Sequence, residues 1–335
     1  MNAGFILWCL TKVLDRVQNI YHKLIKDWAR QVGFDLVGIA PAEVADNGQA
    51  LRSYLERGYQ GSMNYLERNI AQRLDPCKLM PTARSIICVA LNYYAPEPDS
   101  VETVGNSDKQ YGKIARYAWG EDYHNVVKQR LHQLADLIRK QVGPKIKLRC
   151  FVDTAPLLEK AHAARAGLGW IGKNSLLLNE QFGSWLVLGE IVTDLELEYD
   201  QPVADKCGDC QLCLESCPTG ALLEPRILEA RRCISYLTIE AKHEIPAQLQ
   251  GKTGNWLFGC DICQNVCPYN QKPQATNKAE FHPRPRWCRI ELQEILQMSE
   301  EQFQKRFAGN CLQRAGWEHM LHNAKITLQN REHKQ

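Results

Sequence analysis

CGDCQLCLESCP, residues 207–218, sets four cysteines in twelve residues and closes on a proline. The spacing Cys-x2-Cys-x2-Cys-x3-Cys-Pro is a ligand run for a 4Fe–4S cluster, with the fourth cysteine serving a second cluster. Two-residue gaps let a tight loop wrap one cube and present three thiolates to three irons. The fourth cysteine follows a wider gap and a new backbone direction, which Pro218 helps to fix. A second cluster needs donors of its own, and CDICQNVCP at 260–268 supplies Cys260, Cys263 and Cys267, with Cys233 standing between the two runs. Eight thiolates make two sets of four. One set is Cys207, Cys210, Cys213 and Cys267; the other is Cys217, Cys233, Cys260 and Cys263. Zinc favours two well-separated Cys-x2-Cys pairs, and disulfides need an oxidising compartment. A triple run with two Cys-Pro endings suits neither, so two 4Fe–4S clusters are expected.

Around this stretch the chain has 335 residues, enough for two or three domains with a sizeable core. Hydrophobic residues make up 44% and charged residues 24%, as in ordinary globular proteins. A net charge of +3 excludes a strongly basic nucleic-acid sponge and leaves room for a local basic face. Six of the 14 cysteines (Cys9, Cys77, Cys88, Cys150, Cys288 and Cys311) have no ligand spacing and read as buried or incidental thiols. The N-terminal run GFILWCL has no positive charge before it and no cleavage site after it, and it is too short to span a bilayer. The expected setting is the reducing cytoplasm, with no membrane association and a monomeric chain.

Four divisions are expected. Residues 1–18 read as an N-terminal extension, and 19–197 as a domain of alternating strands and helices. Residues 198–275 form the cysteine domain, and 276–335 a linker followed by short amphipathic helices. Helices are expected over 19–32, 47–58 and 122–142. FDLVGIAP, SIICVALNYY (85–94), KLRCFVD and SWLVLGEIVTDLEL (184–197) read as strands, which gives an α/β first domain.

Several residues in that domain carry chemistry. GLGWIG (167–172) matches the dinucleotide fingerprint, but a helical segment precedes it where a strand is required. Its glycines, Gly169 among them, read instead as allowing backbone to approach a bulky ligand. Lys173, Asn174 and Ser175 follow with one cation and two polar donors. DYH at 122–124 starts like a cobalt-ligating Asp-x-His-x-x-Gly, but Val127 stands where the glycine belongs, so His124 reads as a hydrogen-bonded histidine and Asp122 as a helix cap. Asp153 ends an apolar strand. It is either a proton donor with a raised pKa or, preferred on the residues alone, the cap of the next helix. Lys140, Lys145, Lys147 and Arg149, and Arg284, Arg286 and Arg289 around Trp287, would suit phosphates and a stacked base; a solvated surface is the default.

GFDLVGIAPAE, YLERNIAQRLDPCKLMP, YAWGEDYH, VDTAPLLEKAHAARAGLGWIGKNSLLL, CPTGAL and FGCDICQNVCPYN together resemble the epoxyqueuosine reductases, over roughly residues 20–330. The resemblance implies a nitroreductase-like α/β (α+β) domain that holds cobalamin without a histidine under the metal. A ferredoxin-like double-cluster domain and a short helical C-terminus follow. It implies that Asp153 is the general acid, against the capping preference. It makes Gly169, Lys173, Asn174 and Ser175, with Arg73, Tyr123, His124, Asp153 and Ser235, the cobalamin contacts. The implied reaction reduces epoxyqueuosine to queuosine at the wobble position of a tRNA anticodon loop, fed by an external flavodoxin or ferredoxin. Two other classes stay open: a corrinoid-dependent reductive dehalogenase, and a plain ferredoxin-type electron carrier. A bare carrier leaves about 200 preceding residues unexplained.

Overall fold

The computed structural model describes residues 19–44, 48–98 and 110–332; the expected N-terminal extension and Cys9 lie outside them. Eleven strands are formed among these: β1 (Leu36–Pro41), β2 (Ser85–Asn92), β3 (Tyr111–Ile114), β4 (Leu148–Phe151), β5 (Trp170–Ile171), β6 (Leu177–Leu178), β7 (Leu186–Thr193), β8 (Leu222–Glu224), β9 (Ile227–Leu228), β10 (Trp256–Phe258) and β11 (Arg289–Glu291). The four apolar runs read as strands pair in one sheet of order β1-β2-β7-β4. Every pair in it is antiparallel. The domain is therefore α+β, and the parallel sheet that alternating strands and helices suggest is not formed.

All eight residues of β2 are buried, because both faces of the sheet are covered. Successive side chains point to opposite faces. Ile87, Val89 and Leu91 meet the helix over 19–31 and the helix Tyr123–Val142 through Ile25, Leu131 and Leu134. Ile86, Cys88 and Ala90 meet Leu157, Ala163 and Ala166 on the other side, where the helix Glu159–Arg165 lies. That helix starts later than its composition suggests. Pro156 disfavours helical backbone at the residue before it, and the N-cap is Leu158. Asp153 is therefore not its cap. β4 ends at Phe151, and Asp153 follows with a left-handed φ of 40°.

A second sheet, β10-β3-β11, joins segments distant in sequence. β10 runs parallel to β3, and β11 antiparallel to it. Ile114, Phe258 and Ile290 from its three strands pack with Phe303, Phe307, Leu312 and Met320 in one apolar cluster. The helices expected near the C-terminus are Leu292–Gln297, Glu300–Arg306 and Trp317–Glu332. Ser299 and Gln302 close a capping box on the second of them. No helix among the described residues is long and apolar enough to cross a membrane.

Candidate active site

Two cavities are lined by the spaced cysteines. The smaller, of about 190 Å³, is lined by Cys207, Cys210, Cys213 and Cys267, the first set of four, together with Lys173, Asn174 and Tyr269. In the second set, Cys217, Cys233 and Cys260 feel one another's charge, and Cys263 feels Cys260, Cys233 and Cys213 of the first set. The two sets are thus neighbours. Short helices Leu212–Glu215 and Ile262–Asn265 follow the same relative positions in the two runs. Each is succeeded by a Cys-Pro turn.

The larger cavity has a volume of about 1060 Å³. Cys233 and Ser235, at the start of the helix Ile234–Ile239, reach it from the cysteine domain. Tyr123, His124 and Asp153 reach it from the first domain, and Asn310, Cys311 and Arg314 from the C-terminal segment. Asp122 caps the helix Tyr123–Val142, accepting the His124 N–H at 2.9 Å. It thereby aims the next two side chains. Tyr123 and His124 stack with ring centroids 4.1 Å apart. The Tyr123 hydroxyl donates to Asp153 Oδ2 at 2.7 Å, and His124 Nε2 lies 3.1 Å from the same oxygen. His124 Nδ1 is 2.7 Å from Asp122 Oδ1, and the Cys311 thiol donates to that oxygen at 3.5 Å. Imidazole, thiol and carboxylate so satisfy one another.

Two carboxylates set the protonation of this cluster. Burial works to lower the His124 pKa, but Asp122 and Asp153 outweigh it and push it up to about 11. Burial works to raise Asp153, but the hydrogen bonds from His124 and Tyr123 outweigh that and hold its carboxyl below the ordinary value. The raised pKa expected for a carboxylate leaving a buried strand is therefore not found. The proton rests on His124, in an imidazolium–carboxylate pair. A second acid lies beside it: Glu159 accepts the Asp153 backbone N–H and lines the same cavity.

The remaining expected contacts sit elsewhere. Arg73 is buried and donates to the Tyr65 carbonyl at 3.0 Å, behind the wall that Tyr65 forms. A Cβ on Gly169 would meet the Leu178 carbonyl oxygen at 1.9 Å, so that glycine serves chain-to-chain packing between β5 and β6 instead of a bulky ligand. Lys173 donates to the Gly208 carbonyl at 2.6 Å, beside the smaller cavity. Asn174 accepts from the Leu176 N–H at 3.2 Å. Ser175 has a φ of 64°, and its carbonyl accepts from Lys160 at 2.6 Å. Leu176 closes the segment against the larger cavity, so residues 173–176 run between the two. The order helix, glycine loop, β5 is the reverse of a dinucleotide fold. Trp287, expected to stack a base, is 8% exposed, with Arg284 over its ring.

An epoxyqueuosine reductase of Pseudomonas aeruginosa is 44% identical over 307 residues, covering 91% of this chain and 84% of the relative. This chain belongs to the epoxyqueuosine reductase family. A relative from Salmonella typhimurium with the same name is 40% identical over 97% of this chain and 84% of its own. A crystal structure of epoxyqueuosine reductase with an epoxyqueuosine-modified tRNA-Tyr stem loop superposes with a TM-score of 0.87. It is 33% identical and covers 93% of this chain and 82% of that one. The family model described as epoxyqueuosine reductase QueG, DUF1730, matches residues 73–154, the span from Arg73 to Asp153 and its neighbours. The 4Fe-4S double cluster binding domain matches residues 206–270, which contain all eight spaced cysteines.

Glu159, Glu190 and Lys160 escaped notice in the sequence; Cys311, expected as a buried or incidental thiol, is buried and also lines the larger cavity. One signal was available. Glu190 is a lone carboxylate inside the apolar run SWLVLGEIVT, and a buried charge in a strand asks for a partner.

Proposed function

We propose that this chain reduces epoxyqueuosine to queuosine at the wobble position of tRNA, the last step in making that nucleoside, with cobalamin in the larger cavity and electrons relayed by two 4Fe–4S clusters. One observation carries the reading: a single cavity is lined both by Cys233 of the inner cysteine set and by Tyr123, His124 and Asp153. Electrons and protons reach a substrate there from two walls of one space. Removing an epoxide oxygen to leave an alkene needs two of each and releases water. Belonging to the family and the stem loop bound by a solved relative support the anticodon loop as substrate.

The cavity suits a macrocycle. Its volume of about 1060 Å³ is at the upper end of small-molecule pockets. Leu176, Leu186, Leu188 and Phe151 offer it apolar surface, and Asn125, Lys128 and Ser235 offer polar groups. Both His124 nitrogens are engaged with carboxylates, so His124 would line the cobalamin site without offering a free nitrogen to cobalt. Bound there, it supplies a strongly reducing, nucleophilic cobalt centre. We assign direct contacts to Tyr123, His124 and Ser235, while Arg73, Gly169, Lys173, Asn174 and Ser175 shape the wall behind them.

Asp153 is the general acid in this reading. A substrate entering the cavity removes the water that stabilises the His124–Asp153 ion pair, and desolvation favours the neutral pair. The imidazolium proton then moves to Asp153, which delivers it to the departing oxygen. The first cysteine set faces the exterior beside exposed Leu212, where an external flavodoxin or ferredoxin delivers electrons; Cys217, Cys233, Cys260 and Cys263 stand between it and the cavity. The setting is the cytoplasm, where tRNA is modified, with the chain as a monomer. Residues 19–197 act as a nitroreductase-like catalytic unit, 198–275 as the electron unit and 276–335 as a cover. The test is anaerobic turnover of epoxyqueuosine-containing tRNA with reconstituted clusters, cobalamin and a strong reductant, read by mass spectrometry of digested nucleosides. Loss of one oxygen that depends on cobalamin is expected. No product from protein with clusters and corrinoid bound would sink the reading.

A further inference from the structure

In the cavity wall lies an acidic pair that the chemistry above leaves unused. Glu190 stands on β7 between Cys88 of β2 and Phe151 of β4. It is fully buried, and no donor other than a protonated Glu159 carboxyl faces its oxygens among the described residues. The groups that act on it are the Glu159 carboxyl, foremost, and Asp153. Glu159 in turn feels Asp153, Lys160 and His124, and it opens onto the cavity. A half-buried Glu159 beside a fully buried Glu190 leaves no room for two charges, since an unpaired buried charge is costly and each charge penalises the other. One proton therefore stays with the pair. Burial, then the Asp153 charge, pushes Glu159 up to about 8; burial, then Glu159, raises Glu190 well above the ordinary range.

We propose that Glu159 is the second proton donor to the substrate oxygen, and that Glu190 is its positioning residue, a buried partner that keeps a proton on the pair. The inference rests on the epoxide reading given above. As the first carbon–oxygen bond breaks, Asp153 protonates the ring oxygen and leaves a hydroxyl. As the second breaks, Glu159 protonates that hydroxyl and water departs. The two electrons come from the reduced corrinoid, so one epoxide, two electrons and two protons give one alkene and one water.

Infrared spectroscopy of the purified protein without cobalamin at pH 7 tests the pair directly. A C=O stretch of a buried protonated carboxyl, shifted in D2O, is expected in the wild type and weakened in Glu159→Gln and Glu190→Gln. In the turnover assay Glu159→Gln is expected to be about 100-fold slower, with Glu159→Asp recovering part of the rate. Glu190→Gln removes the second member of a coupled titration, so its alkaline rate limb should move about one unit to lower pH. Iron content and cluster absorbance per chain verify that each variant is folded. Absence of the band in the wild type, or Glu159→Gln turning over at the wild-type rate with an unchanged pH profile, would overturn the proposal. Wild-type protein that keeps the band but leaves epoxyqueuosine intact would overturn the parent reading, and the donor role with it.

Discussion

Asp153 bears three constraints at once: a left-handed backbone, a backbone N–H given to Glu159, and a carboxylate shared by Tyr123 and His124. A non-glycine residue in that backbone region is strained, and such strain gathers at functional sites. Replacing Asp153 by Asn keeps the shape and removes the transferable proton. Turnover should fall by about 10²–10⁴-fold, while absorbance spectra still report bound corrinoid and intact clusters; loss of the corrinoid would make the residue structural. The Glu159–Glu190 pair beside it has a consequence for stability. Glu159 is raised from its ordinary 4.5 to about 8, so the folded chain keeps a proton that the unfolded chain sheds. Stability must then fall as pH rises from about 4.5 to about 8. Glu190→Gln should raise the melting temperature by about 2–4 °C at pH 8 and leave it nearly unchanged at pH 4, as thermal melts at the two pH values will tell.

Elements differ in how far their sequence betrays them. The cysteine runs were legible because cluster geometry fixes their spacing within one loop, and the helix Tyr123–Val142 because its apolar period and Asp122 cap are local. The strands were legible, their antiparallel pairing was not, since pairing is settled by partners about a hundred residues away, as Cys88 meets Glu190. GLGWIG misled for a related reason: its Gly169 answers to the Leu178 carbonyl on β6. Gly169→Ala would press a Cβ into the Leu178 oxygen. We expect a loss of about 1–3 kcal/mol in denaturant unfolding, with the smaller cavity's cluster lost before the larger cavity's corrinoid, because residues 173–176 follow at once.

For the whole molecule, the site is a meeting of stretches far apart in the chain. None carries the cavity alone: the proton source comes from residues 122–160, the wall that bears Cys233 from 228–240 and the cover from 310–314. That composite was illegible in sequence, because the C-terminal helices carry no motif that announces a wall. The modest net charge of +3 still allows tRNA to be held through phosphates by a local basic face. Its affinity should weaken on the order of tenfold between about 50 and 200 mM salt, a slope that filter binding will give; binding indifferent to salt would argue for contacts led by bases. The β10-β3-β11 sheet and the cover at Asn310–Arg314 also impose an order in time. Chains emerge from the ribosome at roughly 5–20 residues per second, so the cover follows Cys267, the last cluster ligand in the chain, by about 2–9 s. For those seconds the nascent enzyme has its cluster ligands and its acid but an open cavity, and a corrinoid can enter from the side that the finished protein closes.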